Sequence, residues 1–217
     1  MPIGIGKTTA GRAGNVPQVN ITGYTRTVEK RLFYSRREQA LLLEKAVKGG
    51  FGALEMGQVM TQVYKDGTDY ADFIVPYGDN GQVALTANAA SGQKNITVAA
   101  EDVVKFAEGD AVTINDDDTS AENGVIDSIS GNVITLEANL TGSFATAQNA
   151  YIAHRQDGNY YVMDQDVDTG EERQAQGALT SVVIGNAVLY QDAVIGMDNT
   201  ALSDLDGKED GVFYVIK

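Results

Sequence analysis

Apolar and polar residues alternate along most of the chain after residue 50, and this period of two predicts short β-strands. Between residues 53 and 85, runs such as VMTQVY and DFIVPY are separated by KDG at residues 65–67 and by GDNG at residues 78–81. Glycine, aspartate and asparagine are residues that tight turns require. The segment is therefore predicted to form three short strands joined by two turns.

A second block of alternating residues occupies about residues 88–153. Its runs ITVAA, AVTIN, VIDSI, VITLEANL and NAYIAHR predict five or six short strands. Ser130, Gly131 and Asn132 lie between two of these runs and predict a hairpin turn. A set of strands of this size closes as a small barrel or sandwich, so we predict a separate β module here.

Longer strands resume after this block. YYVMDQDVD at residues 160–168 and ALTSVVIGNAVLYQDAVI at residues 178–195 have strand composition, and the chain closes with GVFYVIK, a further predicted strand. A short helix is predicted over residues 198–205. We therefore predict one β-rich domain from residues 35–87 and 154–217, interrupted by an inserted domain at residues 88–153.

One segment near the N-terminus has the pattern of a helix. The sequence SRRE at residues 35–38 matches a capping box, QALLLEKAV supplies good helix formers, and Gly49 and Gly50 follow as a stop signal. Leu41 and Leu42 belong to a broad apolar stripe on this segment. We predict a helix over residues 36–48, and hence a mainly β fold with one helix near the N-terminus.

The charge is distributed unevenly along the chain. Residues 1–50 hold nine Lys/Arg against three Asp/Glu, whereas residues 51–217 hold seven against twenty-seven, and the net charge is -14. Residues 1–34 are predicted to form an extended basic arm, of which the part up to about residue 27 becomes ordered only on a partner. A basic arm on an acidic body favours an anionic surface as partner.

Aromatic and basic residues interleave at the end of this arm. This pattern fits either a nucleic-acid patch or a segment that docks on an acidic protein surface. We favour docking, because the acidic body would oppose binding to a polyanion. The residues of the pattern are Tyr24, Arg26, Lys30, Arg31, Phe33, Tyr34, Arg36 and Arg37.

Several functional classes conflict with the composition. GIGKT at residues 4–8 looks like the end of a phosphate-binding loop, yet Met1 stands where its first glycine belongs and no strand precedes it. The absence of cysteine and the single histidine remove thiolate and multi-imidazole metal sites. With no apolar run of membrane-spanning length and no secretory signal, we expect a soluble protein that stays in the compartment where it is made.

The most metal-like string contains Asp164, Asp166 and Asp168, since oxygen ligands at alternate positions suit calcium. The EF-hand template requires glycine and glutamate where this chain has Thr169 and Ala175. We therefore favour an acidic solvent face of a surface strand that runs into a turn.

No catalytic set is recognisable. His154 is the one imidazole, and no nucleophile motif lies near it in sequence. We predict that His154 sits where the inserted module returns to the main domain. Thirty acidic residues offer many carboxylate pairs, none of which stands out. The absence of tryptophan argues mildly against a carbohydrate platform, although ten tyrosines keep that interpretation open.

With the inserted module set aside, the remaining pieces resemble the lambda-like head decoration proteins of tailed bacteriophages. GQVMTQV followed by FIVPY, the later strands YYVMDQDVD and TSVVIGNAVL, and the short helix before GVFYVIK carry the resemblance. It covers residues 57–77 and 160–217, about half of the chain outside the inserted module. In that family a glycine precedes an apolar strand that ends in a V-P-Y-like sequence, and the chain closes on a G-I-Y-x-I-like strand.

The resemblance implies a β-tulip-like domain that trimerises on the outside of an expanded capsid and cements neighbouring major capsid subunits. It implies a virion protein made in the host cytoplasm that is no enzyme, needs no cofactor, and binds neither nucleic acid nor membrane. Its N-terminal arm would dock on the capsid through Ile3, Ile5, Lys7, Arg12, Val16, Val19, Ile21, Tyr24, Arg26, Lys30 and Arg31.

Three alternatives stay open from the sequence alone, of which an acidic-pair hydrolase ranks last. A phage tail or baseplate protein would share the β modules and the acidity. A calcium-dependent adhesin or glycan-binding module would use the acidic string at residues 164–172.

Overall fold

The computed structural model describes residues 18–20, 25–27, 32–34, 40–65, 69–119, 121–170, 178–207 and 213–216. The fold is mainly β, which confirms the predicted fold class. The elements in chain order are β1 Gln18–Asn20, β2 Thr25–Thr27, β3 Leu41–Val47, β4 Ala53–Leu54, β5 Val59–Tyr64, β6 Tyr70–Pro76, β7 Gln82–Ala84, β8 Asn95–Thr97, β9 Ala111–Asn115, β10 Glu122–Ser130, β11 Val133–Leu136, β12 Tyr151–His154, β13 Gln156–Met163, β14 Val167–Asp168, β15 Leu179–Gly185, β16 Ala187–Tyr190, α1 Asn199–Gly207 and β17 Phe213–Ile216.

Five strands close into a barrel in the order β13, β15, β3, β6, β5, with β5 pairing back to β13. All neighbours are antiparallel except β3 and β6, which run parallel. Each strand contributes one buried residue to a single apolar cluster, and this cluster marks the barrel interior. The five residues are Val47, Met60, Ile74, Met163 and Val182.

The outside of the barrel carries a second apolar cluster. Helix α1 buries Ala201 and Leu205 in this cluster together with Tyr160 and Val162 of β13. Strands β16 and β17 pair in parallel next to it. Helix α1 begins one residue after the start of the predicted segment 198–205 and ends two residues beyond it, and β17 lies within the predicted closing strand.

Residues 82–154 form a separate six-stranded sheet in the order β7, β12, β9, β10, β11, β8. Gly131, at φ +58°, lies in the predicted hairpin turn between β10 and β11. The ends of the sheet meet at a bridge between Leu85 and Val98, so the sheet curls towards closure. One apolar cluster built entirely from this part of the chain, with Phe106, Ile114 and Ile134 among its members, fills its concave side.

The predicted helix over residues 36–48 is wrong for the part that the structure describes. Leu41–Val47 is strand β3, which pairs with β15 on one side and with β6 on the other. Helix propensities differ by only a few tenths of a kcal/mol per residue, about 0.7 at most for ordinary residues. As a strand the segment closes the barrel and buries Val47, whereas as a helix it would leave β15 and β6 as open edges.

Helices of the described part are too short or too polar to cross a membrane.

Candidate functional site: the mouth of the five-stranded barrel

One end of the barrel interior is polar and open to solvent. Lys45, Gln62, Asp72 and Tyr161 each lie two positions from a member of the interior cluster on their own strand, so they share its face. Together with Tyr70, Ala71, Asp157 and Asn159 they line a cleft of about 450 Å³, here called the barrel mouth. The mouths of β-barrels are common places for ligand sites.

Lys45 is held in place inside the mouth. Its Nζ donates to Oε1 of Gln62 at 3.0 Å and lies 5.2 Å from the ring centroid of Tyr161. Gln62 is 7% exposed, and its Nε2 donates to the carbonyl oxygens of Ala71 at 2.6 Å and Phe73 at 3.2 Å. Because the amide of Gln62 is fully engaged, it fixes the position of the Lys45 ammonium.

Tyrosines form one wall of the mouth. Tyr70 is 57% exposed, and its ring stacks on that of Tyr64 with centroids 5.3 Å apart and planes at 29°. Arg155 lies 4.8 Å from the Tyr64 ring centroid and supports the stack. The neighbouring Tyr64 phenol raises the pKa of Tyr70, and burial raises the pKa of Tyr161. Both phenols therefore stay protonated at neutral pH and can donate hydrogen bonds.

Two carboxylates and one amide complete the lining. Asp157 accepts from the backbone N–H of Asn159 at 2.8 Å and from its Nδ2 at 2.7 Å, so the two side chains orient each other. Asp72 lies on β6 between Tyr70 and Ile74 on the same face. The mouth thus combines one ammonium, two carboxylates, two amides and exposed aromatic surface within a single cleft.

A second cleft, of about 430 Å³, lies between residues 77–80 and 195–198. Its polar groups bond to the protein itself, since the Tyr77 hydroxyl donates to Asp198 at 2.6 Å and Asn80 Nδ2 donates to Gln58 Oε1 at 2.8 Å. Burial, reinforced by Asp198, raises the pKa of Tyr77. The described lining of this cleft has two carboxylates, of Asp79 and Asp198, and no cation, so it offers a ligand fewer kinds of charged group than the barrel mouth.

A buried polar cluster joins the barrel to the six-stranded sheet. Lys48, which follows β3, places its Nζ 2.9 and 2.7 Å from the two carboxylate oxygens of Asp110, and His154 Nε2 lies 3.2 Å from Asp110 Oδ2. Lys48 is 1% exposed and His154 2%. His154, at the end of β12, lies at the predicted junction, and its ring stacks on Phe106 at 4.9 Å. The burial of all three groups gives this cluster a role in joining the two parts.

The charges within this cluster are set by burial. Burial lowers the pKa of His154, more than its hydrogen bond to Asp110 raises it, so the imidazole is neutral at pH 7. Burial alone would raise the pKa of Asp110, but His154 and the Lys48 ammonium together lower it. His154 Nδ1 has no hydrogen-bond partner among the described groups. Lys48 is therefore the counter-charge of the Asp110 carboxylate at neutral pH.

The three aspartates of the acidic string do not face one another as a metal site. Asp166 accepts from the backbone N–H of Met56 at 2.6 Å, and Asp168 accepts from that of Gly170 at 2.9 Å. Asp164 is 4% exposed, so the predicted acidic solvent face is wrong at this residue, because the chain just after β13 still pairs with β15 through a bond of 2.9 Å from the Asp164 N–H to the Ser181 carbonyl oxygen. Within the described ranges, no three acidic or imidazole side chains converge.

Only two of the predicted capsid-docking residues lie in described strands. Val19 on β1 pairs with Arg26 on β2 in a two-stranded antiparallel sheet. The other nine lie outside the described residues, namely Ile3, Ile5, Lys7, Arg12, Val16, Ile21, Tyr24, Lys30 and Arg31. None of the barrel-mouth residues was among the predicted site residues.

No family model matches the chain, and no curated protein matches it. Among solved structures it is similar in part to phage tailspikes. Gp54 of Acinetobacter baumannii bacteriophage AP22, solved in complex with A. baumannii capsular saccharide, is 20% identical over 33% of this chain and 14% of the tailspike, with a TM-score of 0.31.

Two Pseudomonas phage tailspikes are similar to the same extent. Gp61 of phage phi297 is 19% identical over 33% of this chain, with a TM-score of 0.29, and gp49 of phage LKA1 is 22% identical over 34%, with a TM-score of 0.28. The chain spans 13% and 14% of these two tailspikes. Likenesses at these TM-scores assign neither a fold nor an activity to the chain.

Proposed function

We propose that the chain is a structural protein of a bacteriophage virion, which binds the outer surface of the expanded capsid as a trimer and joins neighbouring capsid subunits through its N-terminal arm. One observation carries the proposal. The two segments that resemble head decoration proteins, residues 57–77 and 160–217, fold together although they are far apart in sequence. They supply β5, β6, β13 and β15 of the barrel, together with β16, α1 and β17.

The inserted sheet is compatible with this proposal. Its apolar cluster contains only residues of its own part of the chain, so the barrel keeps an intact core of its own. The sheet connects to the barrel at residues 76–82 and 154–156. A compact decoration domain can therefore carry this module as an addition on its surface.

Attachment by the arm follows from charge and from multivalency. The basic N-terminal segment contrasts with the acidic remainder of the chain, which suits a partner with acidic loops. An extended segment gains main-chain hydrogen bonds when it adds to a sheet edge. Three arms on one trimer raise the effective concentration of each contact, so weak single contacts combine into stable attachment.

Deleting residues 1–20 is expected to leave a folded trimer that no longer co-sediments with expanded, undecorated capsids. Loss of three linked attachment points lowers the apparent affinity by about a hundredfold or more. Sedimentation equilibrium measures the trimer, and pelleting with capsids measures the binding. Undiminished binding by the truncated chain would refute attachment through the arm.

A charge-matched pair of variants tests whether the positive charge of the arm, and not only its extended backbone, is needed for capsid binding. Lys7→Glu with Arg12→Glu is expected to weaken capsid binding, whereas Lys7→Arg with Arg12→Lys keeps the charge and is expected to bind like the unmodified chain. Equal binding by both pairs would show that charge is not what the capsid recognises. A monomer in solution would contradict the trimer.

A further inference from the structure

We propose that the barrel mouth binds a saccharide, with Tyr70 as the stacking platform and with Lys45, Asp72 and Asn159 as hydrogen-bonding groups. This inference rests on the geometry of the mouth alone and is independent of where in a virion the protein sits. The cleft volume of about 450 Å³ falls within the range of small-ligand pockets, about 300–1,000 Å³.

The chemistry of the lining matches that of a sugar. A sugar ring has an apolar face of C–H groups and a rim of hydroxyls, each of which donates and accepts hydrogen bonds. Tyr70 offers exposed aromatic surface, and Tyr64 stacks against it. Lys45 donates hydrogen bonds, Asp72 accepts them and the Asn159 amide does both. Neighbouring hydroxyls of the sugar can therefore each find a donor or an acceptor.

The balance of charge disfavours the main competing ligands. The mouth contains one ammonium and two carboxylates, so its charged groups are negative on balance. It therefore attracts neither a phosphate nor a strongly acidic polymer. A purely cationic ligand would meet the Lys45 ammonium, whose position is fixed by Gln62. A neutral polyhydroxylated ligand uses both signs of group without leaving either unpaired.

The mouth is already ordered without a ligand. Gln62 and Tyr161 hold Lys45, Asn159 and Asp157 orient each other, and Tyr64 supports Tyr70. Immobilising a long side chain on binding costs about 0.5–1.5 kcal/mol, and groups that are held in advance avoid that cost. Because these polar groups are held in position, the arrangement favours the binding of a ligand over simple contact with water.

The test uses the full chain and four neutral sugars, namely maltose, cellobiose, N-acetyllactosamine and chitobiose, with saturation-transfer NMR to detect binding and calorimetry to measure affinity. At least one sugar is expected to bind. Tyr70→Ala and Lys45→Met are each expected to weaken that binding by about tenfold, the equivalent of about 1.4 kcal/mol. Capsid binding by these variants is expected to be unchanged, which separates this inference from the proposed function.

Tyr34→Ala is the matched control. Tyr34 is 56% exposed, against 57% for Tyr70, and packs edge-on against Tyr190 outside the mouth. Its replacement is expected to leave sugar affinity unchanged. The inference is overturned if none of the four sugars binds at millimolar concentration, if Tyr70→Ala and Lys45→Met bind as the unmodified chain does, or if Tyr34→Ala loses as much affinity as they do.

Discussion

Replacing Asp110 with alanine is expected to lower the free energy of unfolding by about 3–5 kcal/mol, because the Lys48 ammonium would remain buried without a counter-charge. Lys48 Nζ lies within 2.9 Å of both carboxylate oxygens of Asp110, and the lysine is 1% exposed. The backbone N–H of Ala107 would also lose its acceptor at 2.7 Å. Urea unfolding, followed by circular dichroism, measures the loss.

The chain contains a matched control for this prediction at its surface. Lys105 and Asp102 form a pair at 2.6 Å whose side chains are 20% and 31% exposed. Asp102→Ala removes the same kind of contact, yet water solvates the remaining ammonium, so a loss below about 1 kcal/mol is expected. If the two alanine variants lost equal stability, burial of the Lys48 and Asp110 pair would not be the cause.

A double variant tests whether the unpaired charge causes the loss. Lys48→Met with Asp110→Asn removes both charges and keeps the side-chain volumes similar. It is expected to be more stable than Asp110→Ala alone, since replacing both members of a buried pair leaves no isolated charge. A double variant as unstable as Asp110→Ala would indicate that lost packing dominates.

The same cluster makes stability depend on pH. In the folded chain the pKa of His154 lies below its ordinary value of 6.5, so the unfolded chain binds more protons as the pH falls through 6.5. The stability from His154 is complete above that pH and is lost below it, and the lowered pKa of Asp110 acts with the same sign below 3.8. The groups facing the imidazole are Asp110, Lys48 and the rings of Phe51, Phe73 and Phe106.

Urea midpoints are therefore expected to fall between pH 7 and pH 5, before most surface carboxylates titrate. His154→Phe keeps an aromatic ring against Phe106 but cannot be protonated, so its midpoint is expected to change less over the same interval. Parallel curves for the two proteins would assign the pH dependence to other groups.

The two strands on either side of residues 130–132 were predictable because their signals are local. Gly131 and Asn132 fix a hairpin between two alternating runs, and both runs are strands in the structure. The segment at Leu41–Val47 could not be predicted in this way. Its composition favours a helix, and only its pairing with β15 and β6, both distant in sequence, makes it a strand.

The barrel mouth was missed for the same reason. Lys45 meets Tyr161 only when β3 is a strand of a closed barrel, and a helix over residues 36–48 would have placed it elsewhere. A partial signal was present in β6, where Tyr70 and Asp72 alternate with residues of the opposite face and precede Ile74 of the interior. When the alternate positions on one face of a strand are polar at one end and apolar at the other, that face runs from solvent into the core.

Gly57→Ala is expected to lower the free energy of unfolding by about 4 kcal/mol, through backbone strain and overpacking together. Gly57 precedes β5 at φ +92°, a conformation that side chains with a Cβ rarely adopt. A Cβ at this position would lie 2.1 Å from the carbonyl oxygen of Ala193, so the backbone itself would have to move. That movement would disturb two bonds of 2.8 Å, from Gly57 N–H to Met163 and from Ile195 N–H to Gly57.

Gly158→Ala separates the two causes, because Gly158 has φ +86° but nothing lies within 4 Å of the position of its Cβ. Only the backbone strain remains there, about 1–2 kcal/mol. A larger loss for Gly57→Ala assigns the difference to the approach of the Ala193 backbone, and equal losses would contradict that assignment. A residue with a side chain at position 57 would therefore separate β5 from the segment at residues 193–195.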